Sequence, residues 1–97
     1  MNFSEALQLL KDGKTVGRIG WNGKHMYLYL VQGSQFKVNR APLNQQIPPG
    51  TEVQYRSHID MCTADGSFCP WTASQTDLLA NDWTEVKPLG LAHDWIT

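Results

Sequence analysis

Near the start of the chain Phe3, Ala6, Leu7 and Leu10 recur at the spacing of one helix face, and Asn2 followed by Glu5 supplies an N-terminal capping pair. With Gly13 as a stop, a first helix is expected over Phe3 to Asp12. The period then changes from that of a helix to that of a strand. Thr15 to Trp21 and Lys24 to Val31 flank Asn22-Gly23, a strong hairpin signal, and a two-residue turn there would set Arg18 opposite Tyr27 and Ile19 opposite Met26. Alternation puts Met26, Leu28 and Leu30 on one side of the second strand and Tyr27, Tyr29 and Val31 on the other. Both sides are apolar or aromatic, so a single helix cannot cover them both, and the second side is expected to meet another subunit or a ligand.

Gly33 to Gly50 is polar and holds Pro42, Pro48 and Pro49, which reads as a surface excursion with at most a short helical turn near Pro42. Extended structure resumes at Val53, with Ile59 and Met61 on one face and His58, Asp60 and Cys62 on the other. At Asp65-Gly66 the pattern turns back. A two-residue connection would place Thr63 opposite Phe68 and Cys62 opposite Cys69. Pro70 has no amide to give to a ladder, which makes the returning strand an edge. Ser74 and Asp77 then form a second capping pair, ahead of a short helix whose buried side would be Leu78 and Leu79, and Trp83 to Val86 reads as a last strand. The architecture implied is α+β: a small antiparallel sheet of hairpins with an N-terminal helix and a short second helix packed on it. Residues 1–86 make one domain, and 87–97, with Leu89, Leu91, Trp95 and Ile96, an apolar extension.

Two places in this pattern combine an indole with polar groups. Trp21 stands beside Arg18, Asn22 and Lys24; Trp71 stands beside Thr72, Ser74, Gln75 and Asp77 at the start of the second helix. An indole offers a stacking face to a base, and free helix amides offer donors to an anion, so together they suit a nucleotide. Stacking contributes about 1–3 kcal/mol per base, a useful share of the roughly 8 kcal/mol that micromolar affinity requires. The bland alternatives are that Ser74 and Asp77 satisfy those amides themselves and that both indoles are core. A carbohydrate platform is a further reading, since tryptophan also stacks on sugars.

Composition narrows the partners. At 97 residues the chain holds one domain, and a formal net charge of −1 without blocks of like charge argues against a long nucleic acid as partner. The longest apolar run, Met26 to Val31, is far too short for a membrane span, and the start lacks the pattern of a signal peptide, so a cytoplasmic protein with free thiols at Cys62 and Cys69 is expected. His25, His58 and His93 are scattered and complete no metal-ligand spacing, so neither a metal nor another cofactor is expected. A nucleophile and base from Cys62 or Cys69 with His58, or an acid-base pair among the aspartates, would make a small hydrolase; packed hairpin thiols are the plainer reading.

The runs FSEALQLLKDGKTVGRIGWNGKHMYLYLV and HIDMCTADGSFCPWTASQTDLLANDW, in that order and with a Pro-Leu pair between them, resemble the second Thoeris anti-defence family. These are small phage proteins that act as sponges for nucleotide immune signals. The resemblance implies a homotetramer built as a dimer of dimers, binding without cleavage, and a cyclic ADP-ribose-type messenger such as glycocyclic ADP-ribose, or a cyclic di- or oligonucleotide, as ligand. It supports Trp21-Asn22-Gly23 and Pro70 to Asp77 as matched motifs. The ligand-binding set expected is therefore Arg18, Trp21, Asn22, Lys24, Trp71, Thr72, Ser74, Gln75 and Asp77, in the cytoplasm of an infected bacterium.

Overall fold

The computed structural model describes residues 1–21 and 25–87; the expected Asn22-Gly23 turn, Lys24 and residues 88–97 lie outside them. Helix α1 (Phe3–Lys11) begins with the anticipated capping box, in which the Asn2 side chain accepts from the Glu5 amide and the Glu5 side chain accepts from the Asn2 amide, both at 3.0 Å. It lies on an antiparallel sheet of five strands in the order β6 (Phe68–Pro70), β5 (His58–Cys62), β2 (Tyr27–Val31), β1 (Val16–Arg18), β7 (Trp83–Glu85). Strand β6 is an edge, as Pro70 requires. Helix α2 (Gln75–Leu79) carries its own capping box between Ser74 and Asp77.

The core lies between α1 and one face of the sheet. Ala6 and Leu10 from the helix meet Val16, Leu28 and Trp83 from the strands, all essentially inaccessible to solvent, with Ile59 and Met61 packed around them. Alternation turns Tyr27, Tyr29, Cys62 and Phe68 to the opposite face, where no helix of the described residues lies. There Tyr29 meets Phe68 edge-on at 6.1 Å, and Phe68 stays 56% exposed.

Both hairpins depart by one residue from the expected register. Val16 pairs with Leu28, so Arg18 is not opposite Tyr27 and the strands end well before the connection. At the other turn Cys62 pairs with Phe68 and Met61 with Cys69. The cause is visible: the Gly66 amide donates to the Thr63 carbonyl at 2.9 Å, the Thr63 amide to Ser67 at 2.8 Å, and Gly66 has φ +86°. This is a three-residue loop with a glycine bulge, in which only Gly66 takes the left-handed conformation that a two-residue turn would demand of Asp65 as well. The Asp65 carboxylate instead accepts from Thr63 and Ser67, and those bonds, the Thr63 hydroxyl's first, hold its pKa down at about 2. One residue of slip flips faces. Cys62 and Cys69 therefore lie on opposite sides of the sheet, the first buried and the second exposed, and the cross-strand bridge that a facing pair would allow is ruled out.

Two further expectations are corrected. Leu78 and Leu79 do not form a buried side of α2; they are 46% and 76% exposed. The helix has only five residues and is attached through Asp77, whose carbonyl accepts from the Trp83 indole at 2.9 Å and whose side chain pairs with Arg18, with Ala80 rather than the leucines packed on the core. The polar excursion also contains a strand. Strand β3 (Ser34–Lys37) pairs with β4 (Glu52–Tyr55) in a two-stranded ribbon. Its register, Ser34 opposite Tyr55, continues that of β2 and β5, which ends at Val31 opposite His58. The interruption lies at Gly33, whose amide donates to the Ser57 hydroxyl at 2.9 Å. A side chain there would press into the Tyr55 carbonyl and stand 2.9 Å from the Ser57 amide nitrogen, so the close approach of the two strands requires glycine.

Candidate functional site

The region that the sequence singles out folds around Arg18. The end of β1 aims its guanidinium between two carboxylates from distant parts of the chain: Nη1 lies 2.9 Å from Asp77 Oδ1, and Nε 2.8 Å from Asp82 Oδ1. The Gly20 amide donates to the other oxygen of Asp82 at 2.8 Å, and the Trp21 indole nitrogen reaches Asp77 Oδ1 at 3.4 Å. The hydrogen bonds from Arg18, then from Gly20, hold the Asp82 carboxyl below the usual range. Burial pushes Asp77 upward, but bonds from Arg18, Ser74 and Trp21 outweigh it and leave its pKa lowered. Both carboxylates in turn raise the pKa of Arg18, so the triad is held fully ionised.

Behind it sits an aromatic cluster. Buried Trp83 is met edge-on by Trp21 at 5.4 Å and by Trp71 at 6.1 Å, and Phe3 from α1 lies 5.2 Å from it. Trp71 also contacts Phe3 at 5.9 Å. Edge-to-face contacts of this kind add about 0.5–1.5 kcal/mol each beyond burial.

The structure thus gathers Arg18, Trp21, Trp71 and Asp77 around Trp83, with Thr72, Ser74 and Gln75 exposed beside them; Asn22 and Lys24 lie outside the described residues. Ser74 and Asp77 occupy each other's backbone amides, at 3.0 and 3.3 Å, so the first turn of α2 is capped internally. Trp21 and Trp71 are each half-buried and packed against Trp83.

The thiols and histidines take other positions. Burial pushes the Cys62 thiol up, against a smaller opposing pull from a hydrogen bond with Tyr27, which describes an unreactive sulfur. His58 Nδ1 lies 3.1 Å from the Arg56 carbonyl oxygen and its Nε2 3.5 Å from Asp60 Oδ1. Among the described residues no group of three or more His, Cys, Asp and Glu side chains is placed to hold a metal ion, and no helix is long and apolar enough to cross a membrane.

A second concave surface lies where the sequence showed only a polar loop. The β3–β4 ribbon and the segment joining its two strands enclose an open cleft of about 360 Å³, lined by Phe36, Lys37, Asn39, Arg40, Pro42 and Tyr55 among others. Phe36 and Tyr55 meet edge-on at 5.1 Å and remain 38% and 50% exposed. No run of these residues carries a recognisable motif. The one available signal was Phe36 and Tyr55 facing the same way once β3 and β4 are paired, and that pairing was hidden by reading 33–50 as a loop.

Comparison with known proteins gives the family of the chain. The family model for the Thoeris anti-defense 2-like domain matches residues 1–86. A relative from Bacillus phage SP01, described as Thoeris anti-defense 2, is 39% identical over 88 residues, which covers 90% of this chain and 96% of the relative.

Proposed function

The chain belongs to the Thoeris anti-defense 2-like family, and from that membership we propose that it is a phage anti-defence protein that binds and sequesters a nucleotide-derived immune messenger without cleaving it. The observation that carries the binding reading is the pair of half-buried indoles. Trp21 and Trp71 are packed against Trp83 and only partly buried, and Trp71 stands beside exposed Thr72, Ser74 and Gln75. Rings immobilised in advance stack without a further ordering cost, which is what a sponge needs to hold its ligand tightly. Arg18 and Asp77 are the ionised support from which that rim is held, and Asn22 and Lys24 complete the set. The ligand class is the glycocyclic ADP-ribose type, extending to cyclic di- and oligonucleotides, so that Thoeris and CBASS signalling in the host cytoplasm are both within reach.

Assembly belongs to the same reading. The helix-free face with Tyr27, Tyr29 and exposed Phe68, together with Ile19, Leu78 and Leu79 at 75%, 46% and 76% exposure, suits burial between copies of the chain in a dimer of dimers. Light scattering should give the mass of four chains; a monomer at micromolar concentration would contradict the assembly.

Capture and cleavage are separated by recovery. Glycocyclic ADP-ribose and cyclic GMP-AMP, mixed with excess protein, should vanish from the free pool and return chemically intact after heat denaturation. A linear product accumulating at substoichiometric protein would establish a hydrolase instead. A panel of messengers that gives neither heat nor thermal stabilisation would sink the reading as a whole.

A further inference from the structure

The sheet stops guiding the chain just before Trp21. Strand β1 ends at Arg18, opposite Trp83, and the residues from Ile19 to Trp21 run on beyond that rung. One residue gathers them. The Ile19 amide donates to the Asp82 carbonyl at 3.0 Å, the Gly20 amide to Asp82 Oδ2 at 2.8 Å, and Arg18 Nε to Asp82 Oδ1 at 2.8 Å. Three consecutive residues are thus tied to Asp82, and the Trp21 amide then closes a turn on the Arg18 carbonyl at 3.2 Å.

This contact is close enough to dictate the residue at position 20. A Cβ on Gly20 would stand 2.9 Å from Asp82 Oδ2, so a side chain there would force the carboxylate off the amide. The Trp21 ring has its own neighbours: Trp83 edge-on at 5.4 Å, Asp77 Oδ1 at 3.4 Å from the indole nitrogen, and Gly17, where a Cβ would come within 3.6 Å of Cζ3. Those contacts can be made only from a Cα held where the turn puts it.

We propose that Asp82 is a positioning residue for the indole rim: it acts through Gly20 and Arg18 to fix Trp21 before any ligand arrives, and does not touch the ligand itself. The inference rests on the reading of Trp21 and Trp71 as the seat of the messenger. Both carboxylate oxygens of Asp82 already hold a donor, and a carboxylate freed to face a phosphate-bearing messenger would repel it, so support rather than contact is its use. A ring ordered in advance binds without the cost of immobilising it, and loosening the turn restores that cost.

The test joins indole-resolved NMR of the full chain with calorimetry on glycocyclic ADP-ribose and cyclic GMP-AMP. In Asp82→Ala the heteronuclear NOE of the Trp21 indole N–H should fall, while that of Trp83, which is bonded to the Asp77 carbonyl, should stay at the parent value. Affinity should weaken by about three- to ten-fold. Asp82→Asn keeps one acceptor and should fall between, which also serves if the alanine variant does not fold. Gly20→Ala breaks one of the same bonds from the other side, so the double variant should bind no worse than Asp82→Ala alone. Asp65→Ala, which removes a structural carboxylate from the β5–β6 turn, should leave the NOE unchanged and the affinity within about two-fold. A Trp21 indole as ordered in folded Asp82→Ala as in the parent would overturn the proposal. So would undiminished affinity in that variant when Trp21→Ala binds weakly. If Trp21→Ala binds like the parent, the rim reading fails instead, and the NOE still decides whether Asp82 places the ring.

Discussion

The two ends of the molecule use the same kinds of side chain in opposite ways. Around Trp83 an arginine, two aspartates and three further aromatic rings are spent on one another: every charge is paired and every ring has a neighbour within 6.1 Å. At the ribbon an arginine, a lysine and two rings are left facing water. The first arrangement joins segments far apart in the chain, since Arg18 is 59 residues from Asp77 and 64 from Asp82. The second is local and contributes little to holding the fold. An indole beside an arginine is therefore no guide to ligand contact until the partners of the arginine are known.

That contrast is sharpest in stability. Trp83→Ala should cost roughly 3–5 kcal/mol, because it removes the ring on which Phe3, Trp21 and Trp71 converge and leaves a large void. For a domain of this size that is a large part of the total, and chemical denaturation should show it. A loss below about 1 kcal/mol would mean that the cluster is not the keystone of the fold.

Gly33→Val comes next, at about 1–3 kcal/mol, since its side chain collides with backbone between the two regions. The effect should be polarised. Hydrogen exchange should accelerate at Ser34–Lys37 while Tyr27–Val31 keeps its protection; equal losses in both strands would show that ribbon and sheet unfold as one unit.

Acid separates the regions by charge. Asp77 and Asp82 have folded pKa values below their unfolded value of about 3.9, so their stabilisation is present above that pH and is lost as pH falls through the folded values. Asp65 adds a contribution lost between about 4 and about 2. Melting temperatures should therefore drop over this interval, and Arg18→Gln should lower the plateau and flatten the part of the drop that belongs to Asp77 and Asp82. A variant with the same acid dependence as the parent would place the coupling elsewhere.

The smallest effect is expected at the ribbon. Phe36→Ser with Tyr55→Ser should change stability by no more than about 0.5 kcal/mol per site, because both rings are already wet. Calorimetric scans that show a larger loss would bring the ribbon into the structural economy of the domain.

Local chemistry was legible in the sequence, and long-range pairing was not. Both capping boxes form as Asn2 with Glu5 and Ser74 with Asp77 require, and Pro70 marks an edge strand. The bond from Trp83 to the Asp77 carbonyl, and the carboxylates that claim Arg18, depend on segments brought together only by folding. The register errors have a smaller cause. Asp-Gly serves a two-residue and a three-residue turn equally, and the choice fell to the Asp65 side chain bonding Thr63 and Ser67. The cleft was missed because a strand as polar as Ser34–Lys37 gives no alternation to read.

The continuity of register across Gly33 has an evolutionary reading. Since Ser34 opposite Tyr55 follows the same count as Val31 opposite His58, everything between residues 34 and 55 is one hairpin inserted in step into another. Such a cassette can be shortened, lengthened or exchanged by paired residues without altering which side chains of β2 and β5 face the core. Variation in the ribbon is thereby decoupled from the tryptophan cluster, and descendants of this chain could change one end while inheriting the other end unchanged.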